Sequence, residues 1–211
     1  MTPSAVVPVT LEGRFVRLES LSFEHLPGLV AAASEDRTNY QWTWVPDGAD
    51  AMEHWLAGLV VGREAGSDLP FATVDRNTNR IVGATRFLHI EYWPWQPENP
   101  NQRGEHLPDA VEIGGTWLAA SAQRTAINTE AKLLMLRHAF ETWHVHRVTW
   151  RTDERNARSR AAIQRLGAAF DGILRAAEPA SDGAIRNTAV YSMLEPEWPT
   201  ACVALEARLQ R

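Results

Sequence analysis

Glu112-Ile113-Gly114-Gly115-Thr116-Trp117-Leu118-Ala119-Ala120-Ser121-Ala122-Gln123-Arg124-Thr125-Ala126-Ile127-Asn128-Thr129-Glu130 is the stretch that decides how this chain is read. It begins with strand-like residues, passes through a turn of small side chains from Ala119 to Ala122, and opens a helix over 123–128. The first N–H groups of a helix have no acceptor inside it, and the helix dipole adds partial positive charge there. Such an end holds phosphate when the residues approaching it are small enough to expose the backbone. Small residues at a strand-to-helix turn also serve packing alone, so the stretch by itself leaves both readings open.

On either side the pattern is mixed. Residues 110–118 have strand character, and 127–143 form an amphipathic helix with Leu133, Leu136, Phe140 and Trp143 at helical spacing. A strand over 145–152, a helix over 157–166 stopped by Gly167, a strand over 187–194 and a short helix over 199–209 follow. Upstream, a first strand at 14–21 precedes helices at 23–33 and 50–64; Pro27 falls in the first turn of the former, where its missing N–H costs little. Strands at 71–74 and 81–92 pair across the polar turn 75–80. Residues 93–109 carry four prolines and two tryptophans and read as a long loop, a feature that is usually functional or mobile. The connection 37–48, with Tyr40, Trp42 and Trp44, is a lid or a plug for the core. The order βααβββαβαβ gives one α/β (α+β) domain over residues 1–211, with 199–211 as a C-terminal extension.

Composition narrows the classes. A length of 211 residues with 45% hydrophobic and 22% charged residues suits one soluble domain with a real core. The net charge of -5 argues against a general nucleic-acid binder, which needs a basic surface to displace counterions. One cysteine, Cys202, rules out an internal disulfide framework and a Cys-rich zinc site. No apolar run is long enough to span a bilayer and the first ten residues do not read as a signal peptide, so no membrane is expected and the cytoplasm is the default compartment.

In residues 123–130 the chain resembles the GNAT superfamily of N-acetyltransferases. The loop of that family that binds pyrophosphate reads Gln/Arg-x-x-Gly-x-Gly/Ala, after the fourth strand and at the start of the third helix. Gln123 stands at its first position, Ala126 at the first glycine and Asn128 at the last. Thr125, Ile127, Asn128, Thr129 and Glu130 are similar to the branch containing the ribosomal-protein N-terminal acetyltransferases, where the loop commonly reads Arg-Gly-Thr-Gly-Ile-Asn before Thr-Glu. Asn156-Ala157-Arg158-Ser159, with Gly167 eight residues on, reproduces a second motif of the family. The ending Thr188-Ala189-Val190-Tyr191-Ser192, then Glu197-Trp198, is also similar. Arg124 and Ala126 depart from the pattern by replacing glycines. Their N–H groups remain, but a positive φ at either position would cost an L-residue about 1–2 kcal/mol.

The resemblance implies a central, mixed, mostly antiparallel twisted sheet flanked by helices, with its fourth and fifth strands splayed. It also implies acetyl-CoA as co-substrate with no metal, held by Leu118, Gln123, Arg124, Thr125, Ala126, Ile127, Asn128, Thr129, Asn156 and Ser159. Asn156 would bond the pantetheine arm or cap its helix, and both can hold together. One of Arg151, Arg155, Arg158 and Arg160 would reach the 3′-phosphate; otherwise they form a solvated face.

Acetyl transfer to an amine needs a base, because only the neutral amine attacks. Glu112, on the strand leading to the loop, is the first candidate, with Asp109 a weaker substitute; a solvent-facing strand glutamate is the alternative. The tyrosine that many relatives use as acid is Ile163 here. Ser159 is the nearest replacement, although a serine there also caps a helix, and Tyr191 reads as a sheet-packing residue. Tyr40, Trp42 and Trp93, with Trp44, His89 and Trp95, line an acceptor pocket or pack the core. His144 and His146 stand at strand spacing, but no third ligand is in view. The expected activity is direct transfer to a primary amine in a ternary complex. The acceptor is a small molecule, an amino acid or a peptide N-terminus, with the long loop leaning toward a small molecule. A noncatalytic acyl-CoA-binding or ligand-sensing module is the rival, and a homodimer stays open.

Overall fold

The computed structural model describes residues 6–104 and 106–210. In chain order the elements are β1 (Leu11–Glu12), β2 (Val16–Ser20), α1 (Leu26–Ala33), α2 (Ala49–Glu64), β3 (Leu69–Asp75), β4 (Arg80–Glu91), β5 (Ala110–Leu118), α3 (Ala126–Arg137), β6 (Arg147–Asp153), α4 (Ala157–Gln164), β7 (Ala169–Pro179), β8 (Ile185–Leu194) and α5 (Trp198–Leu209). The strands lie in one sheet in the order β1-β2-β3-β4-β5-β6-β8-β7. Each neighbouring pair is antiparallel except β5 and β6, whose parallel pairing the crossover through α3 makes possible.

The helices cover both faces. Trp117 packs edge-on against Trp55 of α2, whereas its neighbour Thr116 accepts a hydrogen bond from Lys132 of α3. Adjacent strand residues point to opposite faces, so α2 and α3 lie on opposite sides of the sheet. Coverage on both sides explains why β3 is buried from Leu69 through Val74, without the alternation of a half-exposed strand. The α5 helix packs on α3, where the Trp198 indole stacks on Phe140 and donates to Glu141.

One buried carboxylate ties the start of the sheet to α3. Glu130 accepts hydrogen bonds from the backbone N–H groups of Arg14, Phe15 and Val16 at 2.7, 2.6 and 2.8 Å. Gly13 makes room for it, since a Cβ there would lie 2.3 Å from the carboxyl carbon.

The β5–β6 pairing decides the rest. It runs only from Ala110, Val111 and Glu112 to Arg147, Val148 and Thr149, after which the strands part. This is the expected splay; it falls between the fifth and sixth strands because the two-residue β1 precedes the first strand anticipated.

Some expectations need correction. The amphipathic helix ends at Arg137 and continues as a wide π-turn over His138–Thr142, so Trp143 lies beyond it. His144 and His146 are not in a strand: β6 starts at Arg147, and His144 has φ of 56°. Strand β7 was not anticipated, because as an edge strand it is largely exposed and shows no alternation.

Candidate active site

Three structural facts meet at the splay. The first is the strand-to-helix turn. Ala120–Ala122 form a short 3-10 turn, Gln123 is extended, and Arg124 takes φ of 61° before Thr125 caps α3. The Thr125 Oγ1 accepts from Ile127 N at 3.3 Å and donates to the Ala122 carbonyl at 2.7 Å. The helix start therefore faces the mouth of the splay with its dipole, as an anion site requires.

Ala126 is helical, so its replacement of glycine costs no backbone strain; Arg124 sits in the left-handed region that glycine prefers. Its side chain is exposed. Replacing Arg124 by Gly is expected to raise stability by about 1 kcal/mol, the relief of left-handed strain less the entropy that glycine adds to the unfolded chain. Thermal unfolding checks this, with an unchanged or lowered Tm as the contrary result.

The second fact is the divergence itself. Leu118, at the end of β5, accepts through its carbonyl from the Gln123 amide at 2.9 Å and from the Tyr40 hydroxyl at 3.2 Å. Burial pushes the Tyr40 phenol up from its ordinary range. On the two parting strands, the indole N–H groups of Trp117 and Trp150 are buried with no hydrogen-bond partner among the described residues.

Across the cleft, Asn156 caps α4 by accepting from Ser159 N at 2.9 Å, so the capping role is filled while its side-chain N–H2 makes no hydrogen bond among the described residues. Of the four arginines, Arg160 donates to the Tyr191 hydroxyl at 2.9 Å. Arg155 lies 4.3 Å over the Trp42 ring and bonds Asp153 and Asp182, and those hydrogen bonds hold both carboxyls below their usual range. Arg158 alone reaches the loop, donating to Gln123 Oε1 at 3.0 Å and to the Asn39 carbonyl at 2.8 Å. A groove of about 280 Å³ lies here between Asn39, Trp42, Asn156 and Arg158.

The third fact is Glu112, the last residue of β5 that pairs with β6. Its side chain is 7% exposed and lies 3.2 Å from the Arg151 guanidinium and 2.9 Å from His89 Nδ1. Asp109 is elsewhere, its carboxylate taken by the Trp93 N–H at 2.6 Å and the Trp95 indole at 2.7 Å. Tyr40 and Trp42 flank the cleft, but Trp93 does not join them. It stacks on His146, just before β6 and at the end of β5 opposite the strand-to-helix turn. His89, which sequence placed only among loose aromatic candidates, stands at the centre.

The comparisons agree with this geometry. A family model for an acetyltransferase (GNAT) domain matches residues 16–169. A GCN5-related N-acetyltransferase from Brucella melitensis superposes with a TM-score of 0.81 at 28% identity, over 96% of this chain and 86% of that one. An acetyltransferase candidate from T. thermophilus gives 0.76 at 32% identity over 96% and 98%. RimJ of Mycobacterium smegmatis, in complex with CoA-disulfide, shares the fold at 21% identity with a TM-score of 0.78 over 96% of both chains. No curated protein matches. With a sheet parted above Glu112, a capped helix start at its mouth and the family model spanning most of its length, the chain belongs to the GNAT family of acetyltransferases.

Proposed function

We propose that this enzyme transfers the acetyl group of acetyl-CoA to a primary amine by direct attack in a ternary complex. The observation that carries the reading is the end of β5–β6 pairing at Glu112, which puts a buried carboxylate where the cleft begins. Residues 123–129 and Asn156 hold the coenzyme in this reading, through the helix start on one wall and the amide of the α4 cap on the other. Arg158 spans both walls, and a phosphate at the loop would exchange the Gln123 and Asn39 contacts of its guanidinium for charge-assisted ones. Ser159 stays the candidate for a hydrogen bond to the leaving thiolate.

Tyr40 and Trp42 wall the acceptor end. A second groove, of about 540 Å³, opens beside them between Arg37, Tyr40, Trp44 and Ser181, where the Ser181 hydroxyl donates to the Gln41 carbonyl at 2.9 Å. Its volume has room for a small amine or the first residue of a peptide.

Calorimetric titration with acetyl-CoA comes first, followed by thiol release on a panel of small amines and peptide N-termini. Saturable binding with turnover supports the proposal. Tight binding without turnover on any amine would favour the ligand-sensing module, and no binding at millimolar acetyl-CoA would remove the coenzyme reading. Replacing Glu112 by Gln is expected to lower kcat by roughly 10²-fold, the ordinary share of acid–base catalysis, while leaving acetyl-CoA affinity unchanged. Equal kcat values in the two proteins would refute the role of the carboxylate.

A further inference from the structure

Glu112 is enclosed and already paired: its side chain is 7% exposed and its Oε2 lies 3.2 Å from the Arg151 guanidinium, so an incoming amine has little access to it. Its second neighbour has the properties it lacks. His89 Nδ1 lies 2.9 Å from Glu112 Oε2, and the His89 side chain is 58% exposed where that of Glu112 is 7% exposed. The contact is specially made. His89 has φ of 46°, and the β4–β5 register shifts between Leu88 and Glu91, so the regular alternation of β4 is broken at this residue. Strained residues of this kind cluster at functional sites.

We infer that His89 is the base that deprotonates the acceptor amine, with Glu112 as the positioning residue that orients its ring. This rests on the acetyl-transfer reading above. A carboxylate on Nδ1 fixes the proton there and leaves Nε2 with its lone pair free to accept, the logic by which a buried acid orients a catalytic imidazole. His89 Nε2 takes one proton from the acceptor ammonium, and Glu112 balances the imidazolium that results. The neutral amine nitrogen then bonds the carbonyl carbon as the C–S bond breaks. The second nitrogen proton goes to the departing thiolate, and His89 returns the first to solvent, to which its side chain is open. The products are the amide, the free thiol and one proton. Among the described residues, Glu112 from β5 is the only charged group within ion-pair distance of His89, and Arg151 from β6 reaches it through that carboxylate.

The test uses the full chain, with 2-phenylethylamine, spermidine and an alanine-led tripeptide as acceptors. Replacing His89 by Gly suits the local backbone, because glycine accepts a positive φ, so the fold is expected to survive. H89G should lose about 10²-fold in kcat with the KM for acetyl-CoA unchanged, and added imidazole should restore at least about tenfold of that loss. H89Q should show the same loss, together with the disappearance of the acid limb of the pH–rate profile. A merely structural histidine would give no rescue by imidazole. Wild-type turnover with an equally active H89Q, or an H89G that imidazole does not restore, overturns the role of His89 and leaves acetyl transfer standing. A wild-type protein that binds acetyl-CoA and acetylates none of the three amines overturns both.

Discussion

Replacing Glu130 by Ala is expected to remove about 4 kcal/mol of folding stability. Three backbone N–H groups, those of Arg14, Phe15 and Val16, share this one carboxylate at 2.6–2.8 Å. A hydrogen bond to a charged group contributes about 1.5–3 kcal/mol, and a buried donor left without an acceptor costs about 1–3 kcal/mol. Part of the sum is recovered by water that enters at Arg14 and Phe15, which are less buried than Val16. A domain with about 5–15 kcal/mol in total would be left marginal. Urea denaturation measures the loss, and amide hydrogen exchange should locate it at residues 14–16. Glu130→Gln keeps one acceptor oxygen and should lose less. A Glu130→Ala midpoint equal to that of the parent would show that the chain start is held by its apolar contacts alone.

The second large effect depends on pH. Lys132 is buried, with its Nζ 2.8 Å from Thr85 Oγ1 and 2.7 Å from Thr116 Oγ1. Burial without a carboxylate partner pushes the amine down to about 7 from its ordinary 10.5. In the unfolded chain it keeps its proton up to about 10.5, whereas in the fold it has lost it above about 7. Between these values the unfolded state binds the extra proton, so stability rises with pH, by on the order of 3–4 kcal/mol from pH 7 to 10. Below the folded value both states are protonated, and the full cost of a buried charge remains. Lys132→Met should flatten this dependence and gain most at neutral pH or below. The two threonine hydroxyls already bond one another at 2.8 Å and would not be orphaned. Denaturant unfolding at three pH values decides it, and parallel curves for the two proteins would contradict the argument.

Lys132 drew no notice in the sequence and Glu130 only as part of the family motif, although spacing carried a signal for the burial of both. Each stands three or four residues before an apolar member of the α3 stripe, Leu133 and Leu136 respectively, and so on the buried face of that helix. A charge in that position must be paired or neutral. Most strands and helices were legible because alternation and helical period survive wherever one face meets the core. Strand β7 was not, because an exposed edge leaves no burial pattern to read. The strand-to-helix turn was legible in outline: the helix starts at Ala126 rather than at Gln123, Thr125 is its cap, and the backbone strain anticipated for the lost glycines falls on Arg124 alone. His89 was hidden for a different reason. A left-handed residue that turns a side chain across a bulge has no periodicity, and only the fold brings it to Glu112.

The long loop 93–109 has a narrow neck. The Asp109 N–H donates to the Glu91 carbonyl at 2.8 Å, its side chain holds the Trp93 N–H, and its own carbonyl accepts from His146 N at 2.8 Å. The two strands it joins are thus fixed before the chain leaves them. Loop-closure entropy grows only slowly, by about 0.6 kcal/mol per doubling of length. The turn near Glu98 is therefore a port: a reporter peptide or affinity tag spliced in there would hang outside the sheet, with the neck carrying the join.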